Sequence, residues 1–224
     1  MCDACDDEST GHSRDLSRRS LVTAGAGLAL GAAMSPAIWQ VRAEAQTASG
    51  SARTLIIASH PYPDRSVVNK ALWEVARKAE GSEFKNLETI YGDNLRGFDR
   101  DAERRRYAEM DRLVLMFPIH WFNLTPMLKA YLNDIWGAGP PAELRGKEML
   151  VVVTAGGGAN DYTREGRLGF TIQEVLTPLR ASAKYTDMTF PEPLAFLGAS
   201  GSTAAFRGYQ DALAARLRVP PRRA

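Results

Sequence analysis

TLIIASHPYPDRSVVNKALWEVARK, residues 54–78, decides how this chain folds. It opens on a short apolar run, Leu55-Ile56-Ile57-Ala58, of the kind a parallel strand buried on both faces shows. The run breaks at His60-Pro61-Tyr62-Pro63, where two prolines in three residues exclude both a strand ladder and a helix interior. Ser66 then offers an N-cap to a helix whose apolar positions, Val68, Ala71, Leu72, Val75 and Ala79, recur at helical spacing until Gly81 stops it. Strand, tight loop and helix N-terminus together form an anion site, because the free N–H groups of a first helical turn and the positive end of its dipole face the loop. Ser66 and Asn69 can complete a phosphate cradle with a hydroxyl and an amide. The segment is neither a Walker loop nor a GxGxxG, so alone it names no nucleotide.

The same unit repeats downstream. Phe84, Leu87 and Ile90 predict a short edge strand, followed by a loop over 91–99. Residues 100–110 are strongly charged, with Ala102, Tyr107 and Met110 as inward candidates, and read as a solvated helix. Residues 112–117 predict a second buried strand, closed by Pro118, and Thr125-Pro126 starts a helix with proline in its first turn, running to about Trp136. Met149 to Val153 predicts a third apolar strand, ending in Thr154-Ala155-Gly156-Gly157-Gly158. A helix over roughly 170–181, a strand over Lys184 to Phe190 and a last helix over 202–217 complete the chain. Strands alternating with helices across short loops predict an α/β fold, a doubly wound five-stranded parallel sheet of flavodoxin-like order 2-1-3-4-5.

Composition sets the bounds. The 224 residues, 45% hydrophobic and 24% charged, suit one globular domain, and a net charge of +2 gives no reason to expect a nucleic-acid partner. Cys2 and Cys5 form a lone CxxC without a second pair, and His12, His60 and His120 have no metal-ligand spacing, so no metal is expected. Residues 1–45 read as an export segment rather than part of the domain: Ser17-Arg18-Arg19-Ser20-Leu21 precedes a soft Gly/Ala-rich apolar stretch, and Ala43-Glu44-Ala45 is a small-x-small cleavage pattern. Paired arginines ahead of mild hydrophobicity point to twin-arginine export and a periplasmic location; a misread signal would leave the protein cytoplasmic. Glycines and Pro36 make the alternative, a membrane anchor, poor. Removing 1–45 takes away four basic and six acidic residues and both cysteines, which moves the net charge from +2 to +4. A chain without thiols suits an oxidising compartment. Residues 46–53 read as a linker and 54–224 as the flavodoxin-like domain.

Three strands in succession end in unusual loops: His60-Pro61-Tyr62-Pro63, Pro118-Ile119-His120-Trp121 and Thr154-Ala155-Gly156-Gly157. In an open α/β sheet ligands bind beyond the carboxyl ends of the strands, where the strand order reverses, so these loops converge on one crevice. Their chemistry suits a flat aromatic ligand with polar edges and a phosphate. The first loop holds the phosphate, Trp121 and Phe122 offer a stacking wall, and the glycines admit close backbone approach. That describes a flavin.

HPYPDRSVVNK (60–70), FPIHWFNLTPMLKAYLNDIW (117–136) and VVVTAGGGANDY (151–162) resemble, in register along essentially the whole chain after residue 53, the flavodoxin-like NAD(P)H:quinone oxidoreductases. HPYP with the following Ser and Asn is particularly similar to the efflux-associated branch of bacterial flavoproteins. The resemblance implies FMN, with FAD as the alternative, and NAD(P)H as substrate. It assigns His60, Ser66, Val67, Val68 and Asn69 to the flavin phosphate and its flanks, Pro118, Ile119, His120 and Trp121 to the isoalloxazine, and Thr154, Ala155, Gly156 and Gly157 to its other edge. Tyr162 falls where the quinone reductases carry a tyrosine near the flavin, and Tyr162 with His120 is the candidate catalytic pair. The chain departs from the family at His120, where a Gln is usual, at Leu168, where a His is usual, and in a shortened loop over 137–141.

The implied activity is hydride transfer from a reduced nicotinamide to flavin N5, then two electrons to a quinone or similar acceptor, in a homodimer. The alternatives are a flavodoxin-like electron carrier and a regulatory flavoprotein subunit without its own small substrate. An exported enzyme would meet little NAD(P)H, so either its natural donor differs or the signal is misread.

Overall fold

The computed structural model of this chain describes residues 52–137, 139–199 and 203–223. The expected export signal, its cleavage site, Cys2, Cys5 and most of the linker lie outside the described residues. Five strands, β1 (Thr54–Ala58), β2 (Ser82–Asn86), β3 (Arg112–Pro118), β4 (Glu148–Ala155) and β5 (Leu194–Leu197), form one sheet in the order β2-β1-β3-β4-β5. Every pairing is parallel. The crossovers are α1 (Val67–Lys78), α2 (Leu87–Tyr91), α3 (Arg100–Glu109), α4 (Pro126–Trp136), α5 (Ile172–Val175) and α6 (Thr177–Tyr185), and α7 (Thr203–Arg218) follows β5.

The pleat divides the core in two. Leu55, Ile57, Leu113, Leu115, Val151 and Val153 pack on one face with Leu128, Tyr131 and Leu179, while Ile56, Ala58, Val114, Met116, Leu150 and Val152 pack on the other with Leu72, Trp73 and Leu213. Residues of β1, β3 and β4 are buried throughout, which is why these segments read as continuous apolar runs.

Four expectations need correction. Leu87 and Ile90 belong to α2, not to a strand, because the Asn86 side chain accepts the Thr89 N–H and caps a helix there. The helix expected over 170–181 is two: Thr171 and Glu174 make a capping box for α5, the chain leaves helical geometry at Leu176, and Thr177 begins α6 with Pro178 in its first turn. Lys184 and Tyr185 end α6, and Thr189 touches β4 by an isolated bridge to Glu148; Pro191 and Pro193 interrupt the ladder, which resumes as β5 at Leu194. Thr154 and Ala155 are the last residues of β4, not loop.

Residues 100–110 are only partly solvated. Glu103 is 1% exposed and pairs with buried Lys85 of β2. It also accepts from Tyr91 (3.0 Å) and Tyr131 (2.8 Å). Arg104 reaches the Ile135 and Gly139 carbonyls at the end of α4, and Arg106 bonds Glu83.

The amino pole of the sheet is closed by a second buried cluster. Glu148 accepts from Arg112 Nε (2.6 Å), Arg216 Nη2 (3.0 Å) and the Arg222 N–H (2.8 Å), while Arg112 also donates to the Leu217 and Val219 carbonyls at the end of α7. Removing the carboxylate strands two guanidinium groups. Glu148→Ala is expected to lower the unfolding free energy by about 3–5 kcal/mol, the usual cost of breaking a buried pair; a urea titration measures it, and a loss below about 1 kcal/mol would show that the cluster does not hold this pole.

Candidate functional site

The three loops meet because their strands run parallel and leave the sheet at one pole: Ala58 ends β1 level with Met116 and Val152, and β3 and β4 continue past it to Pro118 and Ala155. Between them lies a cavity of about 330 Å³. Its wall holds His60, Ser66, Val67, Val68, Asn69, Pro118, Ile119, His120, Thr154, Ala155 and Gly156, together with Ala199, which follows β5 and which the sequence reading missed. A signal existed for Ala199: every segment leaving a strand in this topology arrives at the same pole.

Ser66 is the N-cap of α1, and its Oγ accepts the Asn69 N–H (3.2 Å). The amides of Val67 and Val68, in the first helical turn, have no intrahelical acceptor and belong to residues of the cavity wall. Asn69 is buried, and its side-chain amide bonds Thr154 Oγ1 (3.1 Å), tying α1 to the end of β4 across the crevice floor. A Cβ placed on Gly156 would meet nothing within 4 Å, so the backbone there is open to a ligand edge.

His60 is buried and packs edge-on to Trp73 (6.3 Å) and to His120 (5.9 Å). Its Nδ1 accepts the Tyr62 N–H (3.0 Å), so the neutral ring carries its proton on Nε2 and remains a donor. Burial, then the neighbouring His120, lowers its pKa from 6.5 to about 4.

Trp121, Gly157 and Tyr162 sit elsewhere. Trp121 and Phe122 take left-handed backbone angles (φ 49° and 61°) inside a tight reversal closed by His120 and Asn123, and Trp121 is 93% exposed and stands, like Phe122, outside the cavity wall. At Gly157 a Cβ would stand 3.1 Å from the Tyr162 ring and 3.3 Å from Asp161 Oδ2, so this glycine makes room for Tyr162 rather than for a ligand. Tyr162, in the 3-10 turn Ala159–Tyr162, is therefore behind the cavity wall; burial and Asp161 raise its pKa, which keeps the phenol protonated. Leu168 packs against the adjacent core. Among the described residues no three His, Cys, Asp or Glu side chains come together to hold a metal.

The protein family described as flavodoxin-like fold matches residues 52–218. General stress protein 14 of Bacillus subtilis (strain 168) is 31% identical over 157 residues, which are 68% of this chain and 89% of that protein. Among solved structures, general stress protein 14 in complex with FMN from Treponema denticola superposes with a TM-score of 0.67 at 29% identity, over 74% of this chain and 97% of its own. A structure described as a thermophilic tryptophan halogenase from Streptomycin violaceusniger gives 0.66 at 29% identity, over 71% and 95%.

The histidine geometry has a measurable consequence. Because the folded pKa of His60 lies below its unfolded value, its contribution to stability is present above about pH 6.5 and is lost as the pH falls toward about 4. A nitrogen-detected NMR titration is expected to show the His60 ring as the Nε2–H tautomer, protonating near pH 4; a midpoint near 6.5 would contradict the buried placement.

Proposed function

Because the chain belongs to the flavodoxin-like fold family, through residues 52–218, we propose that it is an FMN-dependent oxidoreductase carrying two electrons from a reduced nicotinamide to a quinone or similar small acceptor. One observation carries the reading: a helix N-terminus, a neutral histidine donor and an unobstructed glycine edge surround a single cavity at the carboxyl pole. FMN bound to the Treponema denticola relative supports FMN over FAD. The branch within the family, and the quinone as acceptor, rest on the resemblance of residues 60–70, 117–136 and 151–162.

The residues present fit that cofactor. The amides of Val67 and Val68, the Ser66 hydroxyl and His60 Nε2–H would hold the phosphate, and the segments 118–120 and 154–156 the ring. FMN supplies the hydride and two-electron chemistry when bound, and the protein supplies binding, orientation and polarity. His60 donates without adding charge. Among the described residues no lysine or arginine borders the cavity, so negative charge on a bound ring edge would be met by backbone amides and by His120. Tyr162, protonated and one layer back, acts on the ring through the Gly157 segment it supports, which makes it a positioning residue. A flavodoxin-type carrier would use a hydroxyl-rich first loop, whereas two prolines and His60 occupy it here.

Two outcomes test this reading. The purified protein is expected to be yellow, to release about one FMN per chain on heating, and to give parallel double-reciprocal lines with NADPH and a quinone, as donor and acceptor alternate in one site. A colourless chain that binds neither FMN nor FAD when they are added would sink it. We also propose that residues 1–45 direct twin-arginine export, with cleavage after Ala45; Arg18→Lys with Arg19→Lys is expected to retain precursor in the cytoplasm, and unchanged localisation would remove the export proposal.

A further inference from the structure

We propose that Glu88 is a positioning residue for the crevice, fixing the loop after β1 and the loop entering α4 in one register through Ser59 and Thr125. The inference rests on the reading that the crevice holds FMN. Glu88 is in the first turn of α2, beside the edge strand, and does not border the cavity. Its Oε1 accepts the Ser59 hydroxyl at 2.5 Å. Ser59 is buried, directly precedes His60, and its own N–H is held by the Met116 carbonyl of β3. Ser59 Oγ is also in contact with Thr125 Oγ1.

The donors in this chain can be assigned. Ser59 has one hydroxyl proton, and it goes to the carboxylate, so Thr125 must donate to Ser59. Thr125 Oγ1 in turn accepts the Leu128 N–H (3.3 Å) and caps α4. A single directed path therefore runs from the start of α4 through Thr125 and Ser59 to Glu88. Ser59 adjoins the phosphate loop at His60, and Thr125 ends the loop that begins at Pro118.

The cost of Glu88 is the second observation. Its Oε2 is buried without a hydrogen-bond partner, and no ion pair engages it among the described residues. Burial raises its pKa, and the Ser59 bond and the amides of His60 and Glu88 itself only partly offset that. A carboxylate desolvated with no cation to compensate is a poor choice for stability alone. As the acceptor that orients Ser59, it serves the site.

The test is a titration of the full chain, stripped of flavin, with FMN, followed by flavin fluorescence at a temperature where every variant is folded by circular dichroism. Glu88→Ala is expected to bind FMN about tenfold more weakly, the size of a lost hydrogen bond to a charged acceptor. Glu88→Gln keeps an acceptor oxygen in place and is expected to stay within about threefold of wild type on the same arithmetic. Ser59→Ala and the double variant Ser59→Ala/Glu88→Ala should bind alike, because the first change already cuts the path. Unchanged affinity in Glu88→Ala, equal loss in Glu88→Gln and Glu88→Ala, or additive losses in the double variant would each overturn the role. Should Glu88→Ala not fold, Ser59→Ala is read in its place, a tenfold loss supporting the role and wild-type affinity overturning it. A wild-type chain that takes up no FMN overturns the flavoprotein reading itself, whereas normal wild-type uptake with indifferent variants removes Glu88 alone.

Discussion

Parallel pairing is the constraint from which the rest of this structure follows. Two parallel neighbours cannot be joined by a tight turn, so each connection crosses the sheet on a helix and each strand is left through the same pole. Because β1, β3 and β4 are neighbours that all run toward that pole, three segments far apart in sequence emerge within reach of one another. The cavity is thus a product of topology before it is a product of any side chain. What the side chains add is polarity: an N-cap, a neutral imidazole, and an uncovered glycine.

The opposite pole shows what that arrangement requires. A sheet buried on both faces still has ends, and at the amino end a fully buried arginine lies against a fully buried glutamate and the carbonyls that close α7. A comparable arrangement ties β2 to α3 and α4 through Glu103, Lys85 and two tyrosines. Both clusters put ionised groups where hydrophobic ones would be cheaper, and both satisfy them almost completely. The first ties α7 to the central strands β3 and β4, and the second ties the edge strand β2 to the helices beside it.

Much of the fold was legible in the sequence because its strongest signals are local. Leu55 to Ala58, Leu113 to Phe117 and Met149 to Val153 are short apolar runs bounded by turn residues, and Ser66 and Thr125 are caps that need no tertiary context. The parts that were misread depend on partners. Leu87 and Ile90 look like strand until Asn86 caps them, and the 184–190 segment carries β-forming residues but begins as the end of α6 and makes only an isolated bridge at Thr189 before the prolines. For the site, the loops were located by composition, whereas side-chain direction was not. Trp121 looked like a wall and stands outside the cavity wall, Gly157 looked like a ligand edge and accommodates Tyr162, and the buried Glu103 and half-buried Glu88 resemble any other charged residue on a polar helix. Their burial is set by what lies across from them, which a single sequence does not display.

The paired left-handed angles at Trp121 and Phe122 carry a further consequence, for laboratory evolution. Each places a bulky L-residue in a conformation that costs on the order of 1 kcal/mol, where glycine or asparagine would rest easily. A selection for heat resistance alone would therefore be drawn to these two positions, relaxing the reversal between His120 and Asn123 at little cost to the core. The same relaxation would loosen the segment that carries Ile119 and His120 into the cavity. Thermal resistance and ligand retention should thus trade against each other here, and libraries that vary these two residues need a screen for both.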